Sequence, residues 1–236
     1  MTDVKLGTPV DNWTGVKADL PKNLSGDVIV LEKLDADQHA AKLFEAFRDA
    51  DANWNFLPYG PFHSSAQYFK WASDMAGKTD PHFFALRDAT THKYLGVCAF
   101  LRIDPVMGSI EIGHINFSPS LQRSRGASEA LFLVMQWAFE HGYRRFEWKC
   151  DALNMPSRCA AQRLGFSYEG TFRQAAVVKG RNRDTAWFAV IDTDWPALKE
   201  AFLSWLSPRN FDDQGNQRER LGNLTSLVRV SSDPAL

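Results

Sequence analysis

The stretch 118–131, SPSLQRSRGASEAL, sets hydroxyls and arginines ahead of one glycine and an apolar helix pattern. Gln122, Arg123, Ser124, Arg125, Gly126 and Ala127 form the loop, and the preceding residues read as a strand. In the order strand, loop, helix, the first helical amides lack intrahelical partners and carry partial positive charge, which favours an anion. Arg123, Arg125 and the Ser124 hydroxyl add donors of the kind that pair with phosphate oxygens. The loop has no lysine that could serve a nucleoside triphosphate, and no magnesium ligands accompany it. The same pattern also describes a helix start that binds nothing.

The elements that must hold this loop are legible on both sides of it. Val28, Val30 and Leu31 read as a first strand after a lead-in, residues 1–26, that is rich in Pro, Gly, Asp and Lys. Ala40, Leu43, Phe44 and Phe47 recur at helical spacing behind a capping Asp35, and HSSAQYFKWASDMAG repeats the pattern up to Gly77. HFFALRD, YLGVCAFLRI and GSIEIGHINF then read as an antiparallel meander split by turn-formers. GASEALFLVMQWAFEHG gathers Ala127, Ala130, Leu131, Val134 and Ala138 on one face and stops at Gly142. Phe146, Trp148 and Cys150 alternate along a returning strand, followed by a short helix opened by Asn154 and Ser157. Two last strands and a helix over residues 194–206, with Pro196 in its first turn, close the domain at residues 27–206. The tail, residues 207–236, is polar and reads as mobile, with a turn of helix near Leu221.

Taken together these stretches resemble the GCN5-related N-acetyltransferase (GNAT) superfamily, and within it the RimJ/RimL-like group, over roughly residues 27–192. Gln122 to Ala127 occupy the signature Gln/Arg-x-x-Gly-x-Gly/Ala, with Arg125 where the family has its first glycine. ASEA is similar to the family's ATEA. NMPSRCAAQRLGFSYEGTFR is similar to its second signature, Asn-x-x-Ser followed by Leu-Gly-Phe, Glu-Gly and Arg. The resemblance implies an α/β (α+β) fold: a mixed, mostly antiparallel sheet of about seven strands flanked by helices and splayed between the fourth and fifth. It implies acetyl-CoA as cosubstrate. The strand residues Ile115, Asn116 and Phe117 would bond the pantetheine arm, residues 122–127 would cradle the pyrophosphate, and Asn154 and Ser157 would lie near the thioester. An open strand edge suits an amide-bearing chain, which pairs with it as an added strand would.

Acetyl transfer from a thioester to a primary amine needs a neutral amine, an oxyanion donor and a proton for the leaving thiolate. Glu111 sits eleven positions before Gln122, the place of a glutamate base in several family members; the competing reading has it facing solvent or paired with an arginine. His114 titrates near neutral pH and is either a proton relay or a structural histidine. Ser157 matches a serine that serves as acid in RimL-like enzymes, or else caps its helix or binds coenzyme. Cys150 lacks a histidine partner, which argues against a nucleophilic role. Trp54, Tyr59 and Phe62 lie in ANWNFLPYGPF, which is an aromatic acceptor rim or core packing. Arg173, Lys179, Arg181 and Arg183 cluster near the last turn, as solvated charge or as contacts to an acidic part of the acceptor or to the coenzyme's nucleotide.

The 236 residues carry a net charge of −1 with no long run of one sign, so neither a nucleic-acid footprint nor a polybasic membrane patch is expected. The longest apolar runs fall short of the ~20 residues that cross a bilayer. Three cysteines without close pairing read as reduced thiols in a cytoplasmic protein, and no Cys or His spacing suits a metal. The expected function is acetyl transfer to a small molecule, an aminoacyl group or a protein N-terminus, by a monomer or homodimer. The alternative is a non-catalytic acyl-CoA sensor, favoured if Arg125 obstructs the pyrophosphate.

Overall fold

Chain alternation and turn chemistry resolve into one sheet with two cores. The structure, a computed structural model, describes residues 4–236. The strands are β1 (Asn23–Ser25), β2 (Ile29–Lys33), β3 (His82–Asp88), β4 (Tyr94–Asp104), β5 (Ser109–Phe117), β6 (Arg145–Asp151), β7 (Ser167–Val178) and β8 (Arg181–Ile191). They lie in the order β1-β2-β3-β4-β5-β6-β8-β7. Only β5 and β6 run parallel. The sheet has eight strands where about seven were expected: the end of the lead-in supplies β1, whose Leu24 pairs with Leu31 and packs on the core.

The helices are α1 (Ala36–Ala46), α2 (Ser65–Ala76), α3 (Arg125–Glu140), α4 (Met155–Arg163), α5 (Trp195–Leu206) and α6 (Leu221–Thr225). Asp35 and Ser64 cap α1 and α2, accepting from the amides of Gln38 and Gln67. With the 3-10 turn Asp51–Trp54, α1 and α2 pack on one face of β3 and β4, burying Leu43, Trp71, Phe83, Ala85 and Val97 together. On the other face α3 and α5 bury Phe84, Leu86, Phe100, Ile110, Val134 and Phe202. Successive residues of β3 therefore serve opposite cores, which is why HFFALRD is a continuous apolar run instead of an alternating one. Among the described residues no α-helix packs on the α1/α2 face of β6 and β8, the 3-10 turn borders this region at β5, and this open face is where the ionisable side chains gather.

The tail folds back onto the domain instead of extending into solvent. Thr225 donates to the Arg163 carbonyl at 2.9 Å, and Asp233 accepts from Nε of Arg158 at 2.6 Å. Asp233 is 2 % exposed and Arg158 7 %. The polarity that reads as solvation in the sequence is spent inward, each buried group on a partner, as buried polar groups must be. No helix among the described residues is long and apolar enough to cross a membrane.

Candidate active site

The loop ahead of α3 is assembled by three local devices. Ser124 caps the helix, its hydroxyl accepting from the Ala127 amide at 3.1 Å. Arg123 takes φ +60°, which turns the chain into the helix. Glu129, one turn on, is buried and accepts from the amides of Asp27, Val28 and Ile29 at 3.0, 2.8 and 2.9 Å, pinning α3 beside the start of β2. A Cβ on Gly26 would come within 2.5 Å of the Glu129 carboxyl, so that approach needs a glycine. The amides of Arg123, Arg125 and Gly126 make no hydrogen bond within the described residues. At Gly126 a Cβ would meet only ordinary contacts, the nearest Leu121 Cδ1 at 3.5 Å, so the fold itself does not demand glycine there.

Arg125, at the position where the family signature has glycine, points away from this cradle. Its Nη2 donates to the Leu206 carbonyl at 2.6 Å, and its guanidinium lies 5.1 Å from the centre of the Phe211 ring. The side chain thus ties the last carbonyl of α5 to the start of α3, and only its backbone amide faces the expected anion. Gln122 is turned back as well: Nε2 donates to the Phe117 carbonyl at 2.9 Å and to Asn53 Oδ1 at 3.1 Å, while Asn53 Nδ2 donates to the same carbonyl at 2.9 Å. Nothing in the sequence singles out Asn53.

Beside the loop the sheet parts. β5 and β6 pair only from Ser109/Arg145 to Ile112/Trp148, and residues 113–117 have no partner on that side. On its other side β5 carries one extra residue, since Ala99 faces Gly113 while Val97 faces Asn116, and His114 takes φ +50° at this bulge. The bulge keeps His114 on the open face. Its Nδ1 lies 2.9 Å from the Tyr59 hydroxyl, the rings stack at 5.6 Å, and Phe83 closes the other side at 5.0 Å. Burial first, then the positive charges of Arg102, Lys78 and Arg183, bring its pKa down to about 4, so the imidazole is neutral. Asn116, on the same strand, is buried with Nδ2 unpartnered.

Glu111 is 3 % exposed and sits between two cations. Arg102 Nη1 reaches both carboxylate oxygens at 2.8 Å and Lys149 Nζ lies 2.9 Å from one of them. Burial pushes the carboxyl above its ordinary range, against the opposing pull of Lys149 and Arg102. The row continues across the sheet, with Glu147 holding Lys149 at 2.6 Å and Arg145 at 2.6 Å. The ion-paired alternative for Glu111 thus describes its surroundings, although the cations come from both neighbouring strands. Arg102 and Lys149 had no part in the sequence reading, because a lysine alternating on a strand reads as an outward-facing solvated residue.

At the far side of the parting, Asn154 caps α4 by accepting from the Ser157 amide at 3.2 Å. The indole N–H of Trp148 donates to the Ser157 hydroxyl at 3.0 Å, which leaves that hydroxyl its own proton to give. Cys150 is buried, and burial raises its thiol to about 11, so it stays protonated and is no nucleophile at neutral pH. Among the described residues no group of three metal-ligating side chains comes together.

The acceptor-side expectations divide. Tyr59 and Phe62 are half-buried around His114 and Trp71. Trp54 is core instead of rim: 2 % exposed, it packs edge-on against Phe47, Phe62, Tyr68 and Trp71. Gly60, at φ +66°, clears it by lacking a Cβ that would sit 2.6 Å from the indole. Arg173 is also misplaced by the linear reading. Its neighbour Phe172 stacks on Trp187 at 4.5 Å on the open face, and alternation turns Arg173 to the other face, towards Asp184. From the same hairpin Lys179 does reach the turn, its Nζ donating to the Trp54 carbonyl at 2.8 Å.

A parallel pair that parts beside a capped helix start, on a meander of this order, is the architecture of an acyltransferase of the GNAT type. Residues 29–167 match the family model described as the acetyltransferase (GNAT) domain, and the chain belongs to that family. It is 44% identical to a GCN5-related N-acetyltransferase from Brucella melitensis, whose crystal structure it matches over 92% of this chain and 100% of that one with a TM-score of 0.90. The N-acetyltransferase p20 of Bacillus licheniformis is 25% identical over 142 residues, 60% of this chain and 79% of the relative. A RimL ribosomal-protein acetyltransferase shares the fold at 22% identity, 75% and 99% coverage and a TM-score of 0.63. The protein is an N-acetyltransferase of the GNAT family.

Proposed function

We propose that the protein transfers an acetyl group directly from acetyl-CoA to a primary amine within a ternary complex, the amine belonging to a small molecule, an aminoacyl group or a protein N-terminus. The observation that carries this reading is the juxtaposition of the unpaired amides of Arg123, Arg125 and Gly126 with the unpaired edge at residues 113–117. A diphosphate suits the first and an amide chain the second. The sensor alternative rested on Arg125 as an obstacle, and its bond to Leu206 leaves that alternative without support.

In this reading Glu111 takes the proton of the amine, directly or through water. Its burial raises its basicity, and Arg102 and Lys149 fix its orientation. His114, at about 4, is the weaker acceptor, and its bond to Tyr59 suits it to shaping the acceptor side. Ser157 donates to the departing thiolate, held in place by Trp148 and Asn154. Asn154 and residues 115–117 line the coenzyme arm. Calorimetry with acetyl-CoA, followed by thiol release over an amine panel, tests the proposal: saturable binding with amine-dependent thiol release is expected. Binding without release for any amine would restore the sensor, and no binding would remove the site.

A further inference from the structure

On β8, residues 183, 185 and 187 share one face by alternation. Trp187 marks which face, since Lys149 Nζ lies 3.8 Å from the centre of its ring and the same amine lies 2.9 Å from Glu111. Arg183 is therefore on the same open face as the expected base, six residues along β8 from Ala189, the residue level with that base. Its Nε donates to Thr185 Oγ1 at 3.2 Å, which fixes the guanidinium, while its two Nη atoms have no hydrogen-bond partner among the described residues. The Lys179 bond to the Trp54 carbonyl draws this hairpin onto the 3-10 turn, so Arg183 faces the wall that carries His114.

The carboxylates of that region are already committed. Glu111 and Glu147 hold Arg102, Lys149 and Arg145. Asp80 accepts from the amides of Arg102 and Ile103 at 3.1 and 3.0 Å. Arg183 and Lys78 have no ion-pair partner among the described residues, and at His114 their charges act together with that of Arg102 and outweigh the single opposing charge of Asp80.

From this we infer that the acceptor amine carries a second, anionic group, a carboxylate or phosphate, seated on the free Nη edge of Arg183. The inference rests on the acetyl-transfer reading above and narrows its substrate class. A guanidinium with its fork free binds either oxyanion bidentately. The same positive field disfavours a bound ammonium, so it helps the amine arrive neutral, as attack on a thioester requires. Without an anion on the acceptor that field would oppose binding.

The test compares matched acceptors: aspartyl and glutamyl peptide amides against their asparaginyl and glutaminyl isosteres, and phosphoethanolamine against ethanolamine. Wild-type protein should favour the anionic member in kcat/KM by on the order of tenfold to a hundredfold, through KM and less so at high salt. In Arg183→Gln the preference should fall towards unity with the KM for acetyl-CoA unchanged; whichever pair shows the larger fall identifies carboxylate or phosphate. Lys78→Gln, at an exposed residue, should lower the same preference by about twofold through space and serves if Arg183→Gln folds poorly. Equal use of the isosteres, a preference that survives both substitutions, or no turnover of any anionic acceptor by protein that binds acetyl-CoA would overturn the inference. Failure to bind acetyl-CoA at all would instead overturn the reading beneath it.

Discussion

Replacing Gly126 with glutamate should move stability and coenzyme affinity in opposite directions. Gly126 is the second residue of α3 and has ordinary negative φ. An added Cβ finds Leu121 Cδ1 at 3.5 Å and Ile29 Cδ1 at 3.7 Å, so the side chain enters without displacing the core. A carboxylate in the first turn of a helix gains ~0.3–1 kcal/mol, and removing a helical glycine adds a few tenths more. The melting temperature should therefore stay level or rise by about 1–3 °C. A diphosphate on the amides of Arg123, Arg125 and Gly126 would meet the new charge at ~5 Å, where an effective dielectric near 20 gives roughly 3 kcal/mol of repulsion per charge. Screening and rotation of the glutamate into solvent leave ~1.5–3 kcal/mol, or about 10- to 100-fold weaker binding. Thermal unfolding and calorimetry with coenzyme A on the same preparation read both numbers. Unchanged affinity would refute the assignment of the loop, and a melting temperature several degrees lower would refute the room found for the side chain.

Glu111→Gln should lower kcat by about 10²- to 10⁴-fold and abolish the acid limb of the pH–rate profile, a limb displaced upward by burial; intact activity across pH would exclude Glu111 as base. His114 makes acidification destabilising. Its folded pKa of about 4 lies below the ordinary 6.5, so the unfolded chain binds more protons between these values, and stability present above pH 6.5 is lost as pH falls towards 4. The loss is at most ~3 kcal/mol, and His114→Gln should flatten the melting temperature over that window; an equal slope in both proteins would contradict the neutral, buried ring. Asp233→Ala strands the Arg158 guanidinium, and a buried pair broken on one side costs ~3–5 kcal/mol. Its melting temperature should drop by several degrees, whereas a change under one degree would mean that the tail is not docked in solution.

How much of this was legible in the chain depends on the range of the interaction. Caps, turns and alternation are local, so Asp35, Ser64, Ser124 and Asn154 opened helices where their residue types place them. The motif at residues 122–127, with the second signature around Asn154 and Ser157, carried the family because a helix start that must receive an anion needs its donors within a few consecutive residues. Contacts across the sheet left no such trace. Trp54 reads like Tyr59 in the linear sequence, yet one is core and the other meets His114, because only the packing of α1, α2 and the turn decides which ring the helices cover. Arg173 and Arg183 look equivalent until the pleat and the hairpin register put them on opposite faces. The sequence alone determined the elements from β2 to α5, the capped loop ahead of α3 and the family, but neither β1 nor the docked tail. The tertiary structure decided which charges are spent on one another and which remain free, since an ion pair such as Lys149 with Glu111 depends on strands that meet 38 positions apart along the chain and on burial that no local pattern encodes.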